Sequence, residues 1–277
     1  MSSLGAGHRF VESIPVARRS VRPAFRPLNY VRQIVAIAVF FGIGAVFSPA
    51  CWVFWKLFGR RIHPASGQRL LGGLFRFFVG WMRATGALVL DVRGLDALSG
   101  EKGLIVAANH PGLLDAVFLL STPLRATCVM RAGLLRSPVL CGGALIAGYV
   151  TNDSGPAMVR QSMERIRSGG NLLIFPEGTR TGCQPVSPFK QGFGLVAVNT
   201  GAPVQTVLIE RIGNGLSRGV SLFEPFELPL RYSIRLGERF VPGPGESARA
   251  FTRRLETWFR GRLENSGVDI RIKDPSV

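Results

Sequence analysis

The chain has 277 residues, 47% of them hydrophobic and 18% charged, which is too apolar for a disordered protein and long enough to build a core without staples. Its 34 Lys and Arg against 17 Asp and Glu give a net charge of +17, so an anionic partner is expected: nucleic acid, a lipid headgroup surface or a phosphorylated substrate. Cys51, Cys128, Cys141 and Cys183 include no Cys-x-x-Cys pair, which argues against a disulfide framework and a structural zinc site and for a reducing, cytoplasm-facing domain.

The charge is uneven. Residues 1–83 hold twelve of the basic residues and a single acid, Glu12, so the remainder is only mildly basic. Residues 1–33, with Pro15, Pro23 and Pro27 among arginines, read as a poorly ordered basic arm attracted to anionic headgroups. Residues 34–83 read as membrane-associated helices. Within them, residues 34–55 contain no charge at all, enough to cross a hydrocarbon core or to sink into one leaflet. Gly42, Gly44, Ser48 and Pro49 weaken a straight spanning helix, and Trp52 and Trp55 sit where interfacial aromatics belong. The run begins too far into the chain, and is too long, for a signal peptide. Residues 70–81 interleave Leu, Phe and Trp with Arg76, as an interfacial amphipathic helix does. The alternative is a hydrophobic helical hairpin packed on the domain.

Residues 84–277 form the catalytic domain of this reading. Short apolar runs at 104–108, 126–130, 149–151, 172–175 and 204–209 read as buried strands, with helices expected near 113–120, 132–141, 156–168 and 192–200. That alternation predicts an α/β fold with a largely parallel central sheet flanked by helices. A late strand over 232–241 and a closing amphipathic helix over 247–263 complete it.

Of the three histidines, His8 lies in the arm and His63 in an Arg-Arg-Ile-His-Pro connection where a solvated role suffices. His110 directly follows a strand, at the carboxyl end where α/β ligands bind, in the run Asn109-His110-Pro111-Gly112-Leu113-Leu114-Asp115. A Pro-Gly turn lets Asp115 fold back to one imidazole nitrogen, fix the tautomer and leave the other nitrogen to take a proton. A second strand ends in Phe175-Pro176-Glu177-Gly178-Thr179-Arg180, and Lys190 follows. Gly178 permits close approach of a ligand, and Thr179, Arg180 and Lys190 suit a phosphate cradle.

Asn-His-x4-Asp followed some sixty residues later by Phe-Pro-Glu-Gly-Thr-Arg resembles the glycerolipid acyltransferase family, typified by 1-acyl-glycerol-3-phosphate acyltransferases, over about residues 100–210. The resemblance implies transfer of a fatty acyl group from acyl-CoA or acyl-carrier protein to a hydroxyl of a lysophospholipid. No metal and no cofactor is implied beyond that co-substrate. It makes His110 the general base and Asp115 its partner, and places Asn109, Glu177, Gly178, Thr179, Arg180 and Lys190 at the acceptor. Two blocks depart from the family pattern: Asn152-Asp153 stands where an arginine is usual, and Ala202-Pro203-Val204-Gln205-Thr206-Val207 keeps only the first proline of a Pro-Val-x-Pro block. A non-glycerophosphate acceptor such as an aminolipid therefore stays open.

Membrane lipids are the expected partners, with the catalytic domain facing the cytoplasm where acyl thioesters are made. Nucleic-acid binding is disfavoured because the bases cluster around the apolar run. A scaffold without activity is disfavoured by the presence of both His110 and Asp115, and a serine hydrolase by the lack of a Gly-x-Ser-x-Gly elbow.

Overall fold

Strand β2 (Ile105–Ala108) is buried at every position, and its side chains alternate between two hydrophobic cores: Ile105 and Ala107 join one, Val106 and Ala108 the other. Such a strand needs helices on both faces. The structure, a computed structural model, describes residues 26–61, 63–152, 155–182, 185–213, 215–216 and 219–264, and it supplies them.

Seven strands form one sheet. Besides β2 these are β1 (Leu88–Arg93), β3 (Ala126–Met130), β4 (Val150–Thr151), β5 (Asn171–Ile174), β6 (Val204–Ile212) and β7 (Leu230–Phe240), in the order β1-β7-β6-β2-β5-β3-β4. Every neighbouring pair is parallel except β6 and β7. No crossover helix separates β6 from β7 among the described residues, so the chain returns antiparallel. The largely parallel α/β sheet is thus observed. Strand β1 was not foreseen: its exposed Val89, Val92 and Arg93 mark a sheet edge, without the apolar run by which the buried strands are recognised.

Helices α1 (Pro27–Phe58), α2 (Pro64–Ala84), α3 (Asp115–Leu120) and α4 (Cys141–Ile146) precede or interrupt the first strands, and α5 (Gly155–Arg167), α6 (Gln191–Thr200) and α7 (Ala248–Glu264) follow. Phe251, Leu255, Phe259 and Leu263 of α7 cover one core, with Phe193, Val196 and Ala197 of α6. Phe78 and Met82 of α2 and Val117 to Leu120 of α3 cover the other.

Two expectations need correction. The helix expected near 132–141 is a short 3-10 turn, Ala132–Arg136, then one extended residue, Ser137, and a tight turn over 138–140 that leads into α4. Pro138 is the cause, because it holds Ser137 extended at ψ 120°. The basic arm, expected through residue 33, gives way to helix at Pro27, which occupies the first helical turn where its missing N–H costs nothing. Residues 1–25 lie outside the described residues.

Helix α1 is docked along much of its length. Its buried positions, Gln33, Gly44, Ser48 and Cys51, form one stripe. Gln33 donates to the carbonyls of Leu222 and Glu224 and accepts from the N–H of Phe226. Ser48 Oγ accepts the N–H of Gly142 at 2.9 Å. A Cβ on Gly142 would stand 1.9 Å from the Ser48 carbonyl oxygen, so only glycine lets α4 approach α1 this closely. The rest of the α1 surface stays apolar and exposed, at Phe41, Val46, Val53, Phe54 and Leu57, and Leu70 and Phe77 of α2 do the same. By length and composition α1 suffices to cross a membrane, with a mean hydropathy of 2.3. His63 caps α2, its Nδ1 accepting the N–H of Ala65.

Candidate active site

His110 sits two residues beyond β2 and continues the alternation of Val106 and Ala108, which turns its ring toward the core shared by α1, α2 and α3. The Pro111-Gly112 turn then starts α3, whose first residue is Asp115. Asp115 is fully buried, and its Oδ2 lies 2.8 Å from His110 Nδ1 and 2.7 Å from the Gly112 N–H. A buried carboxylate beside Nδ1 holds the proton there, which leaves Nε2 as the acceptor. The imidazole retains 20% exposure and stacks on the ring of Phe175, centroids 4.1 Å apart.

The second motif grips the main chain of that histidine. Glu177 Oε1 accepts the His110 N–H at 3.0 Å and the Thr181 hydroxyl at 2.7 Å, and its Oε2 accepts the Ser187 N–H at 2.8 Å. The Thr181 N–H donates to the His110 carbonyl at 2.7 Å. Gly178, at φ 68°, makes the turn that brings these groups together.

The residues expected at the acceptor therefore divide. Asn109 is buried and pairs with the main chain of Ile209, donating to its carbonyl and accepting its N–H, both at 2.8 Å. Glu177 is likewise buried with both oxygens engaged by the protein itself. These two shape the scaffold instead, because their polar atoms are already satisfied. Gly178, Thr179, Arg180 and Lys190 lie on the accessible side: Gly178 and Lys190 are exposed, and Thr179 and Arg180 half-buried. The Lys190 stem lies alongside Gly178, and Arg180 Nη1 donates to the Leu216 carbonyl at 3.4 Å.

A cavity of about 460 Å³, almost wholly apolar, opens between α1, α2 and α3. Phe40 and Phe47 of α1 and Phe78 of α2 form one side, while Leu113, Leu114 and Ala116, on either side of Asp115, form another. Its size falls in the range of lipid and small-molecule pockets. The arrangement thus sets a histidine–carboxylate pair, an apolar cavity and a cationic turn near the carboxyl ends of the central strands β2 and β5.

Sequence reasoning missed Phe175, Thr181, Ser187, Arg211 and Tyr232. Phe175 was legible, since it shares strand parity with Leu173 and so faces the His110 side. Arg211 and Tyr232 were not, because only the antiparallel pairing of β6 with β7 makes them neighbours. Burial holds the Arg211 guanidinium below its ordinary range, opposed by Tyr232 and Asp115. Burial, and then the Asp115 charge, push the Tyr232 phenol well above its usual value.

Residues 89–210, from β1 through most of β6, match the acyltransferase family. A chloroplast 1-acyl-sn-glycerol-3-phosphate acyltransferase of Brassica napus is 28% identical over 135 residues, 47% of this chain and 39% of that protein. A lyso-ornithine lipid O-acyltransferase of Rhodobacter capsulatus is 37% identical over 89 residues, 31% of this chain and 32% of that protein. The chain thus spans well under half the length of these two curated relatives. The crystal structure of the 1-acyl-sn-glycerophosphate acyltransferase of Thermotoga maritima superposes with a TM-score of 0.65 at 18% identity, covering 89% of this chain and all of that one. That likeness is one of fold.

Proposed function

We propose that this chain, whose residues 89–210 match the acyltransferase family, transfers a fatty acyl group from an acyl thioester to a hydroxyl of a lysophospholipid such as 1-acyl-glycerol-3-phosphate. The observation that carries this reading is His110 Nδ1 held 2.8 Å from the buried Asp115 carboxylate, beside an apolar cavity. In this reading the acceptor hydroxyl gives its proton to His110 Nε2 as its oxygen bonds to the thioester carbon, because an unassisted hydroxyl is too weak a nucleophile near neutral pH. Asp115 stabilises the imidazolium that results. The tetrahedral adduct collapses, the C–S bond breaks, and the thiolate recovers the proton from His110. No covalent enzyme intermediate, metal or further cofactor enters; acyl-CoA or acyl-carrier protein is co-substrate.

The acyl chain of a lipid substrate occupies the cavity beside α3, and Arg180 and Lys190 face the acceptor headgroup. Binding a tail in that channel orients the reacting carbonyl, and orientation supplies much of the rate. The exposed apolar sides of α1 and α2 rest in the membrane, with the domain on the cytoplasmic side. Because α1 is bound to the domain from Gln33 to Cys51, it sinks into one leaflet with the domain attached instead of crossing alone.

A second reading, an aminolipid acceptor, is favoured by one position. Asn152 is exposed and joined by its N–H to the Met130 carbonyl, where the family usually places an arginine. The similarity to the lyso-ornithine lipid enzyme supports the same reading.

Lipid analysis of a host lacking the gene, complemented by wild type or His110→Ala, tests the function. Restoration of one acylated lipid by wild type alone supports it and names the acceptor. Equal restoration by His110→Ala removes it.

A further inference from the structure

Asp115 uses one oxygen on His110 and Gly112; the other, Oδ1, is fully enclosed and meets no hydrogen-bond partner among the described residues. Two more enclosed polar atoms share that condition nearby, the Tyr232 hydroxyl and Arg211 Nε. Their proximity is architectural. Arg211 and Tyr232 are directly opposed in the β6–β7 ladder, so their side chains stand on the same face of the sheet, about 5 Å apart at Cβ. That face carries Val207, Ile209 and Ile234 into the core beneath α3. The Tyr232 ring packs edge-on to Phe118 of α3, centroids 4.9 Å apart, and its hydroxyl lies against the Gly112 turn that precedes the helix. A Cβ built on Gly112 would lie 2.2 Å from Tyr232 Oη and 2.9 Å from Asp115 Oδ1. Both oxygens therefore face the same patch of backbone, no farther apart than those two distances together, a span that one bridging water closes.

We propose that Tyr232 and Arg211 are positioning residues that act on His110 through the outer oxygen of Asp115. Buried polar groups are almost always satisfied, and enclosed neighbours that do not bond each other directly are satisfied most simply through a shared water. Tyr232 donates toward Oδ1 and fixes the plane of the carboxylate, and so the direction in which Oδ2 meets Nδ1. Arg211 is 6% exposed, and Nη1 is anchored on the Gly215 carbonyl at 2.6 Å. Its charge opposes the cost of burying the Asp115 carboxylate. Gly112 gains a purpose too: any side chain there would collide with the Tyr232 hydroxyl. The inference rests on the acyl-transfer reading of His110.

The other ionisable groups around the dyad come from the turn after β5: Arg180, which interacts electrostatically with Tyr232, and Glu177, bound to the His110 N–H. Neither faces Oδ1 through a hydrogen bond. Removing a donor or a positive charge from beside the carboxylate makes the His110–Asp115 pair, taken together, hold its proton more tightly. Both Tyr232→Phe and Arg211→Met must therefore move the pair's titration to higher pH.

The test uses the purified full chain in lipid vesicles, with two readouts. The first is the His110 ring titration, followed by NMR on histidine-labelled protein. The second is the pH dependence of kcat with acyl-CoA and 1-acyl-glycerol-3-phosphate. Tyr232→Phe, which keeps the ring and its packing, is expected to lower kcat by about fivefold to tenfold with both KM values unchanged, and to raise the titration by about half a unit to one unit. Arg211→Lys, keeping the charge, is expected to titrate nearer to wild type than Arg211→Met. In an Asp115→Asn background Tyr232→Phe is expected to add no further loss, since its route to His110 is gone. An unmoved titration in Tyr232→Phe overturns the proposal, even if kcat falls. A moved titration in a protein whose wild type acylates no lipid upholds the network and overturns the acyl-transfer reading instead.

Discussion

Glu177 Oε1 lies 3.0 Å from the backbone nitrogen of His110, joining two loops that are 67 residues apart in sequence. The same carboxylate takes the Thr181 hydroxyl and the Ser187 N–H, so a single buried acid holds the His110 turn in place. The motif acid therefore serves from inside the protein, by placing His110, while its neighbours Thr179 and Arg180 stay partly exposed.

This placement separates two roles. If Glu177 positions His110, Glu177→Gln is expected to lower kcat and the unfolding midpoint together while leaving the KM for acceptor in place. Glutamine presents one acceptor and one NH2 group, and the NH2 group meets the Ser187 N–H or the Thr181 and His110 donors, so at least one buried donor loses its partner at about 1–3 kcal/mol. Thermal unfolding and a kcat against KM comparison check this. An unchanged midpoint with a raised KM for acceptor contradicts it.

The dyad itself gives the sharpest expectation. His110→Ala is expected to reduce turnover by about 10²–10⁴-fold or more while the chain still folds, because the ring is partly exposed and packs mainly on Phe175. Asp115→Asn is expected to approach that loss, since an amide presents an NH2 group to Nδ1 in one orientation and stabilises no imidazolium in either. Steady-state rates with purified protein, alongside circular dichroism to establish folding, decide it.

Much of this was legible before the structure, for definable reasons. Strands β2, β3 and β5 are continuous apolar runs because both faces are covered, and such runs are the strongest signal a parallel sheet gives. His110 and Asp115 were found because their contact is local, five residues across one turn. Contacts that depend on strand order were invisible: Glu177 with His110, Asn109 with Ile209 and Arg211 with Tyr232 all join distant segments. In each case the sequence offered a polar residue in an apolar setting, with no indication of what it meets. The docking of α1 was hidden differently, since the helix is apolar all round and its pattern does not distinguish the side that packs from the side that faces lipid.

That docking predicts how the protein holds a membrane. Exposed Val46, Phe54, Leu57 and Phe77 form the apolar surface, so the protein is expected to sediment with membranes and to stay there in high salt, where ionic contacts are screened. The double variant Leu57→Glu, Phe77→Glu is expected to release a folded protein. Gly142→Ala acts on the other side of the helix and is expected to destabilise the α1–α4 contact by about 1–3 kcal/mol, because the added methyl meets main chain that has nowhere to retreat. Unfolding midpoints and limited proteolysis of α1 measure it. Release of wild type by salt alone would mean that the basic residues, and not the apolar surface, hold the protein.

The identity of the acceptor turns on Arg180. It lies on the accessible side of the turn that Glu177 anchors, with Nη1 on the Leu216 carbonyl, which also accepts the N–H of Leu113 in the turn leading to Asp115. A guanidinium so placed offers a planar fork to a phosphate, and charge-assisted contacts of this kind are worth about 1.5–3 kcal/mol. With 1-acyl-glycerol-3-phosphate as acceptor, Arg180→Ala is expected to raise the KM for acceptor by about 10- to 100-fold and to leave that for the acyl thioester nearly unchanged. Arg180→Lys is expected to recover only part of it, because a point charge does not reproduce the fork. With a lyso-aminolipid that carries no phosphate, the same substitution is expected to change KM little, and the exposed Asn152 then stands where a second phosphate contact is not needed. Comparing the two acceptors on wild type and Arg180→Ala therefore reads the headgroup directly: a large KM effect confined to the phosphate-bearing acceptor assigns Arg180 to phosphate. Equal KM values for that acceptor in wild type and variant would remove Arg180 from the headgroup and leave Lys190, exposed against Gly178, as the remaining cation of the turn to test in the same way.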